Sequence, residues 1–466
     1  MKYILPKLIP AILIIVGVFL IFSLVNIDRD PALTQRLPGT DGTPQILPSS
    51  QQSIKITGKL ASFDGVVSDL TGSWPEFRGP NRDAISPENF SPLLEWPEAG
   101  PRQIWQIDVG EGYAGAVVFK GRVYIVDYDR QNQSDLIRCL SLDDGKDIWN
   151  YSYPVKVKRN HGMSRTVPVV TDDYLIAIGP KCHVTCLDSD TGEYKWMIDL
   201  ESEYGTKVPP WYAGQCPLID NGRLILAPGG ENLMIALDPL TGNEIWKSEN
   251  PNNWAMTHSS ITPVEFASKR MYVYCGSGGV AGISADDGKI LWETNEWKIR
   301  IATVPTPIVV GEGLIFFSGG YNAGSVMLKL TEKDGQITPD VLFRLDAKIF
   351  GSPQQTPIFY QGHIYGVRPD GQLVCLDLQG NILWSSSAAH KFGLGPYVIA
   401  NGLIYVMNDD GLLSLAKAQS SGFELLTQGQ VLGGHDAWGP MAIASGRLIL
   451  RDLTKMVCLD ISKPEN

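Results

Sequence analysis

Only six histidines occur in 466 residues, and four of them (His161, His258, His390 and His435) fall in short polar stretches that also hold Trp211, Tyr212, Trp254 and Trp438. Imidazoles supply protons or metal ligands, and flat aromatic faces stack on rings and sugars. The stretches run over 108–116, 155–166, 203–216, 250–260, 296–305, 346–355, 386–396 and 432–440. They carry Lys156, Lys158, Arg159, Arg165, Lys207, Lys298, Arg300, Lys348 and Lys391 against Asp108, Glu111, Glu203, Glu296, Asp346 and Asp436, whereas the whole chain has a net charge of −11. A basic patch in an acidic body draws an anion rather than a cation. The candidate ligand-binding residues are therefore Asn160, His161, Arg165, Trp211, Tyr212, Gln215, Trp254, His258, Arg300, Gln355, His390, His435, Asp436 and Trp438. Asp436 and Glu111 are the carboxylates placed to act as a catalytic base. No metal is expected on the four histidines, whose spacing matches no local ligand motif. Ser259 directly follows His258, and neighbouring strand side chains point to opposite faces, so a Ser–His nucleophile is not supported.

What would bring eight such stretches together is an internal repeat. Runs of β-formers recur as GRVYIV from Gly121, DYLIAI from Asp173, GRLILA from Gly222, KRMYVY from Lys269, GLIFFS from Gly313, GHIYGV from Gly362, GLIYVM from Gly402 and GRLILR from Gly446. Behind them come a second strand, an acidic turn and Gly-x-x-x-Trp: Gly145 and Trp149, Gly192 and Trp196, Gly242 and Trp246, Gly288 and Trp292, Gly380 and Trp384. Weaker versions put Phe343 after Gly335 and Leu426 after Gly422. One four-stranded sheet cannot bury both of its faces, so the units must stack around an axis. The expected fold is all-β, an eight-bladed propeller of four-stranded antiparallel blades. The last repeat ends at VCLDI without its Trp strand, and an unattached RQIWQIDV with Trp105 precedes the first, so the beginning should complete the end. In such a ring the stretches above link each outer strand to the next inner one and converge on the channel mouth.

The seven cysteines fit the same repeat. Cys139, Cys186, Cys375 and Cys458 share a slot that other blades fill with Ala236, Ile283 or Ser414, as small buried hydrophobes would. Cys182 and Cys186, about 13 Å apart on one strand, cannot bridge.

The segments IALDPLTGNEIW and TCLDSDTGEYKW resemble the PQQ-like propeller repeat, shared by quinoprotein alcohol dehydrogenases and by BamB, and WPEFRGPNRDAIS from Trp74 resembles the lead-in of such propellers. The resemblance covers roughly residues 74–462. As a dehydrogenase it implies PQQ and Ca²⁺ as cofactors, with Glu111 and Asp436 as carboxylates, Asn160, Asn252 and Asn253 as amides, and Arg165 or Arg300 facing the quinone acids. That donor set is poor in anionic oxygen for a hard cation, and the chain has neither an adjacent Cys-Cys pair nor Cys-x-x-Cys-His. As a binding module it implies an envelope protein, peptide or polysaccharide as partner. The binding module is the preferred reading and the quinoprotein dehydrogenase the alternative.

Residues 9–25 are uncharged and nearly long enough to cross a ~30 Å hydrocarbon layer. Lys2 and Lys7 before them keep residues 1–8 cytoplasmic and send the rest to the periplasm or exterior. No cysteine precedes Cys139, which excludes attachment through an N-terminal lipidated Cys. Residues 26–73, rich in Pro, Gly, Ser and Gln, are expected to be a flexible linker, and 74–466 the propeller. The acidic balance excludes a nucleic-acid binder.

Overall fold

The computed structural model describes residues 57–463, and the expected membrane span at 9–25 lies outside them. Among the described residues no helix is long and apolar enough to cross a membrane.

Eight antiparallel sheets follow one another along the chain. Blades 1 to 7 occupy 117–154, 169–199, 218–247, 262–294, 308–345, 358–385 and 397–430. Blade 8 takes three strands from 442–460 and its outermost, Arg102–Asp108, from ahead of blade 1. Arg102 pairs with Asp460 and Trp105 with Cys458. The ring therefore closes through its own first strand, leaving no open gap between first and last blades.

The seams explain the Gly-x-x-x-Trp spacing. Each Trp opposes the small slot of its own blade, Trp149 on Cys139, Trp196 on Cys186, Trp246 on Ala236 and Trp384 on Cys375. For Trp105, Trp149, Trp196 and Trp246 the indole also lies on the turn glycine of the next blade. A Cβ on Gly192 would stand 2.6 Å from Trp149 Cδ2, and one on Gly288 2.5 Å from Trp246 Cε3. These glycines also sit at φ of +74° and +73°, so they serve both the turn and the close approach. Except in blade 4, where Trp292 Nε1 meets Met271 Sδ, the indole N–H then bonds a carbonyl of the next blade: Trp149 reaches Asp190 at 3.0 Å and Trp196 reaches Pro239 at 2.9 Å. All seven cysteines are free and buried.

Three sequence assignments need correction. The slot opposite Trp292 is Gly282, not Ile283, and blade 7 uses Leu415 opposite Thr427, not Ser414 or Leu426. The outer strand bulges just after this pair in every blade, so the slot is the residue before the bulge; in blade 4 that is Gly282, as far ahead of turn glycine Gly288 as Cys139 is ahead of Gly145. The missing blade 7 indole is supplied from outside the repeat, by Trp96 stacked 6.3 Å from Tyr405. Finally, residues 57–73, expected as the end of a linker, lie against the ring. Lys59–Ser62 adds a fifth strand to the outer edge of blade 1, where unpaired backbone groups remained to be satisfied.

The lead-in runs beneath the ring. Trp74 exchanges backbone bonds with Val118 of blade 1, Arg82 Nη2 donates to Ile219 of blade 3, Arg78 reaches blade 6, and Ile85–Ser86 pairs in parallel with blade 7. Its Phe77 forms the floor of the central cavity.

Candidate functional site

Above Phe77 lies a cavity of about 320 Å³, walled by the loops that leave each outer strand and by the inner edges of the blades. Of the residues expected there, His161, Arg165, Trp211, His258, Gln355 and Trp438 line it. Asp436 stands behind that wall, accepting a hydrogen bond from Tyr113 Oη at 3.1 Å. The others have different work. Trp254 is packed against Gly276, Gly278 and Gly279 and clamped by both ends of the Asn250 amide. Gln215 is fully buried, pairing its own amide with the backbone of Ala227. Tyr212 bonds the Lys158 carbonyl at 2.7 Å and so ties two loops together. His390 packs on Phe423, His435 is exposed beside Asp436, and Asn160 and Arg300 are exposed.

The cationic element is Arg165. Its guanidinium donates to the carbonyls of Asn160, His161 and Gly162 in its own loop and lies 5.3 Å over the Tyr113 ring. No carboxylate among the described residues pairs with it, and burial lowers its pKa to about 10. The Tyr113 ring in turn stacks on Trp438 at 5.3 Å, and Trp438 Nε1 donates to Asp409 at 2.7 Å. One wall is thus a cation and two aromatic faces held rigidly from behind.

Facing them is His258, only 9% exposed. Burial, and then the Arg165 charge, depress its pKa to about 4, so the ring is neutral at physiological pH. The Pro210 and Tyr212 carbonyls engage the ring, yet its Nε2 is buried without a partner. Gln355 donates its amide hydrogens to the Leu394 and Trp438 carbonyls, leaving its side-chain oxygen as an acceptor. Several mouth residues hold the left-handed backbone conformation: His161 at φ 54°, Trp211 at 64°, Tyr212 at 73°, Tyr321 at 56° and Asp436 at 57°. For bulky side chains that conformation costs about 1–2 kcal/mol each, and such strain clusters where function requires it.

Sequence reasoning missed Tyr113, Phe77 and Tyr321. Tyr113 lay inside one of the loop stretches and could have been chosen for its aromatic ring. Phe77 could not, because nothing in a strandless lead-in says that it turns back under the ring.

The residues around the cavity do not fit a quinone with Ca²⁺. Among the described residues no Asp or Glu lines the cavity, Glu111 is tied to Arg159 and Arg130, and Asp436 is engaged by Tyr113. Among the described residues no three His, Cys, Asp or Glu side chains gather as a metal would require. Calcium takes about six to eight oxygen ligands, largely anionic, and this donor set is chiefly aromatic and amide.

Trp–Gly seams, a ring strapped by its own first strand and a funnel at the axis define a propeller of the PQQ-like repeat class. Residues 133–380, over half of the chain, match the family described as outer membrane protein assembly factor BamB, and the chain belongs to that family. A curated relative, outer membrane protein assembly factor BamB of Moranella endobia (strain PCIT), is 21% identical over 276 residues, 56% of this chain and 67% of its own length. Among solved structures, BamB from Moraxella catarrhalis shares the fold at a TM-score of 0.54 and 13% identity, over 77% of this chain and 99% of that one. A europium-containing methanol dehydrogenase does so at 0.59 and 12% identity, over 82% and 90%. The same architecture thus houses an assembly factor and an enzyme, so function has to be argued from the site.

Proposed function

We propose that the protein is a membrane-anchored, extracytoplasmic binding propeller whose funnel captures an anionic or carbohydrate-like ligand, carried by an envelope polysaccharide, peptide or protein. The observation that carries this reading is Arg165, a cation at the cavity wall that no carboxylate among the described residues neutralises. A half-buried charge without a counter-ion is partly stripped of water, and a ligand anion is the natural partner at a concave site. The family's assembly-factor description supports an envelope partner, and the hydrophobic run at 9–25 supports anchorage with the propeller outside. The quinoprotein alternative loses support because the described residues bring no carboxylate to the cavity for the metal.

The funnel reading is tested by titrating the detergent-solubilised chain with small carboxylates and following intrinsic fluorescence, to which Trp211 and Trp438 contribute. Saturable quenching that Arg165→Gln abolishes is the expected result. Equal response in wild type and variant would refute the funnel as the site. Reporter fusions at residues 5 and 60 test orientation, the second alone being active outside the cytoplasm.

A further inference from the structure

Arg165 alone would accept any anion, but the opposite wall makes a second demand. The unpartnered Nε2 of His258 is buried and lines the cavity with Arg165. The ring is neutral and its Nε2 has no partner among the described residues, so it calls for a ligand hydroxyl, which can bond either tautomer. The Gln355 oxygen calls for another, since that side chain has committed its N–H groups to the backbone. Arg165 still has Nε–H and a hydrogen on Nη1 to offer, because its bonds within the loop use Nη1 once and Nη2 twice. A ligand that satisfies all three must accept strongly at one end and offer hydroxyls at the other. Between them the stacked pair Tyr113–Trp438 and the strained Trp211 present flat apolar faces, suited to the C–H face of a saturated ring.

We propose that the funnel binds a sugar acid: a hydroxylated six-membered ring bearing one carboxylate, with the carboxylate seated on Arg165 and ring hydroxyls bonded to His258 Nε2 and Gln355. This rests on the funnel reading above and narrows it to one ligand class. Neutral sugars leave Arg165 unneutralised. Carboxylates without hydroxyls leave His258 and Gln355 without partners. A buried polar group left unpaired on binding costs affinity, and roughly tenfold or more is expected for each mismatch. The cavity of about 320 Å³ is at the small end for ligand sites, a fit for one ring rather than an enclosed chain.

The test is isothermal titration of the full detergent-solubilised chain with four probes: D-glucuronate, D-glucose, cyclohexanecarboxylate and a galacturonate tetramer. Glucuronate is expected to bind at least about tenfold more tightly than glucose or cyclohexanecarboxylate. Arg165→Gln should erase its advantage over glucose, and His258→Phe its advantage over cyclohexanecarboxylate, with the more conservative His258→Asn as a second variant should His258→Phe misfold. Cyclohexanecarboxylate binding as well as glucuronate would overturn the sugar-acid proposal while sparing the anion-binding funnel. Glucose matching glucuronate would overturn the carboxylate seat. If neither anion binds, both readings fall. The tetramer separates two sources of the same chemistry: tighter binding than the monomer identifies the end of an acidic polysaccharide, and equal or weaker binding a free sugar acid.

Discussion

Arginines stand at both ends of the central channel, Arg78 and Arg451 buried and Arg165 half-buried, and they differ in what their donors meet. Burial lowers Arg78, Arg451 and Arg165 alike to about 10. Arg78, in the lead-in, donates to the carbonyls of Arg82, Asp83, Thr356 and Pro357, so it joins two segments far apart in sequence. Arg451 does the same between blade 8 and the start of blade 1, through Gly110, Ala114, Asp452 and Leu453. Arg165 is braced only by carbonyls of its own loop and faces the cavity. A buried cation saturated across a junction is a clamp. One propped from behind, with donors unspent toward a cavity, is a receiver.

The largest expected effect comes from Arg78→Met, which would leave four carbonyls beneath the ring without their donor and detach the lead-in from blade 6. A loss of about 3–5 kcal/mol in urea unfolding is expected. Arg165→Met should cost less than about 1 kcal/mol, because its three carbonyls belong to a solvent-facing loop and can take water. Equal losses from the two variants would abolish the distinction between clamp and receiver.

The seams offer a second comparison, between glycines required for space and those required only for backbone. Gly192 has φ +74° and a neighbouring indole 2.6 Å from where a Cβ would be; Gly222 has φ +72° and nothing within 4 Å. Gly192→Ala should therefore cost about 2–4 kcal/mol and Gly222→Ala only about 1, measured in the same denaturant series. Similar values at both positions would mean that the turn alone, and not the Trp149 contact, requires glycine.

The ring was legible because its repeat is written in residue types that physics restricts: a positive-φ turn admits Gly, a seam of this width is filled by Trp, and strand alternation has a fixed period. Closure by Trp105 was legible for the same reason, as a strand too many at one end and too few at the other. The funnel was legible only in part. Loop stretches could be assigned to one face, yet whether Trp254 looks into the channel or into a bed of glycines depends on loop backbone that no periodicity encodes. The contribution of Phe77, and of Trp96 as a substitute indole, came from segments with no repeat to align. The slots of blades 4 and 7 were misread because Gly282 and Leu415 do not look like the small Cys or Ala of the other blades, although the same bulge follows the pair in all of them.

An orphan polar group gains meaning only when a cavity faces it, and Asp135 is the contrasting case. It is 1% exposed between blades 1 and 2, and both its carboxylate oxygens lack a hydrogen bond although the Tyr153 hydroxyl faces them. Burial raises its pKa from 3.8 to about 7. Between those values the folded state keeps a proton that the unfolded state has lost, so stability should fall as pH rises from about 4 to about 7 and then level off. The loss should be about 2 kcal/mol after allowing for relaxation, and Asp135→Asn should remove that portion of the slope in unfolding midpoints taken across the range. A slope unchanged in the variant would assign the pH dependence to another group, with Glu76 beneath the ring, also raised to about 7, as the next to test.

The smallest effect concerns strain at the mouth. Trp211 sits at φ 64°, half-buried against His258 at a ring separation of 6.4 Å, and is followed by Tyr212 at φ 73°. If the loop holds that conformation only because the surrounding structure enforces it, removing the side chain should not by itself relieve the backbone. Gly and Ala at position 211 lose the same indole but differ in their tolerance of positive φ, so Trp211→Gly should be about 1 kcal/mol more stable than Trp211→Ala. Both should lose ligand-dependent fluorescence quenching to a similar extent, since both lack the stacking face. A Gly variant no more stable than the Ala variant would show that the loop relaxes once the indole is gone, making the strain a consequence of the side chain's packing rather than a shape the mouth imposes on it.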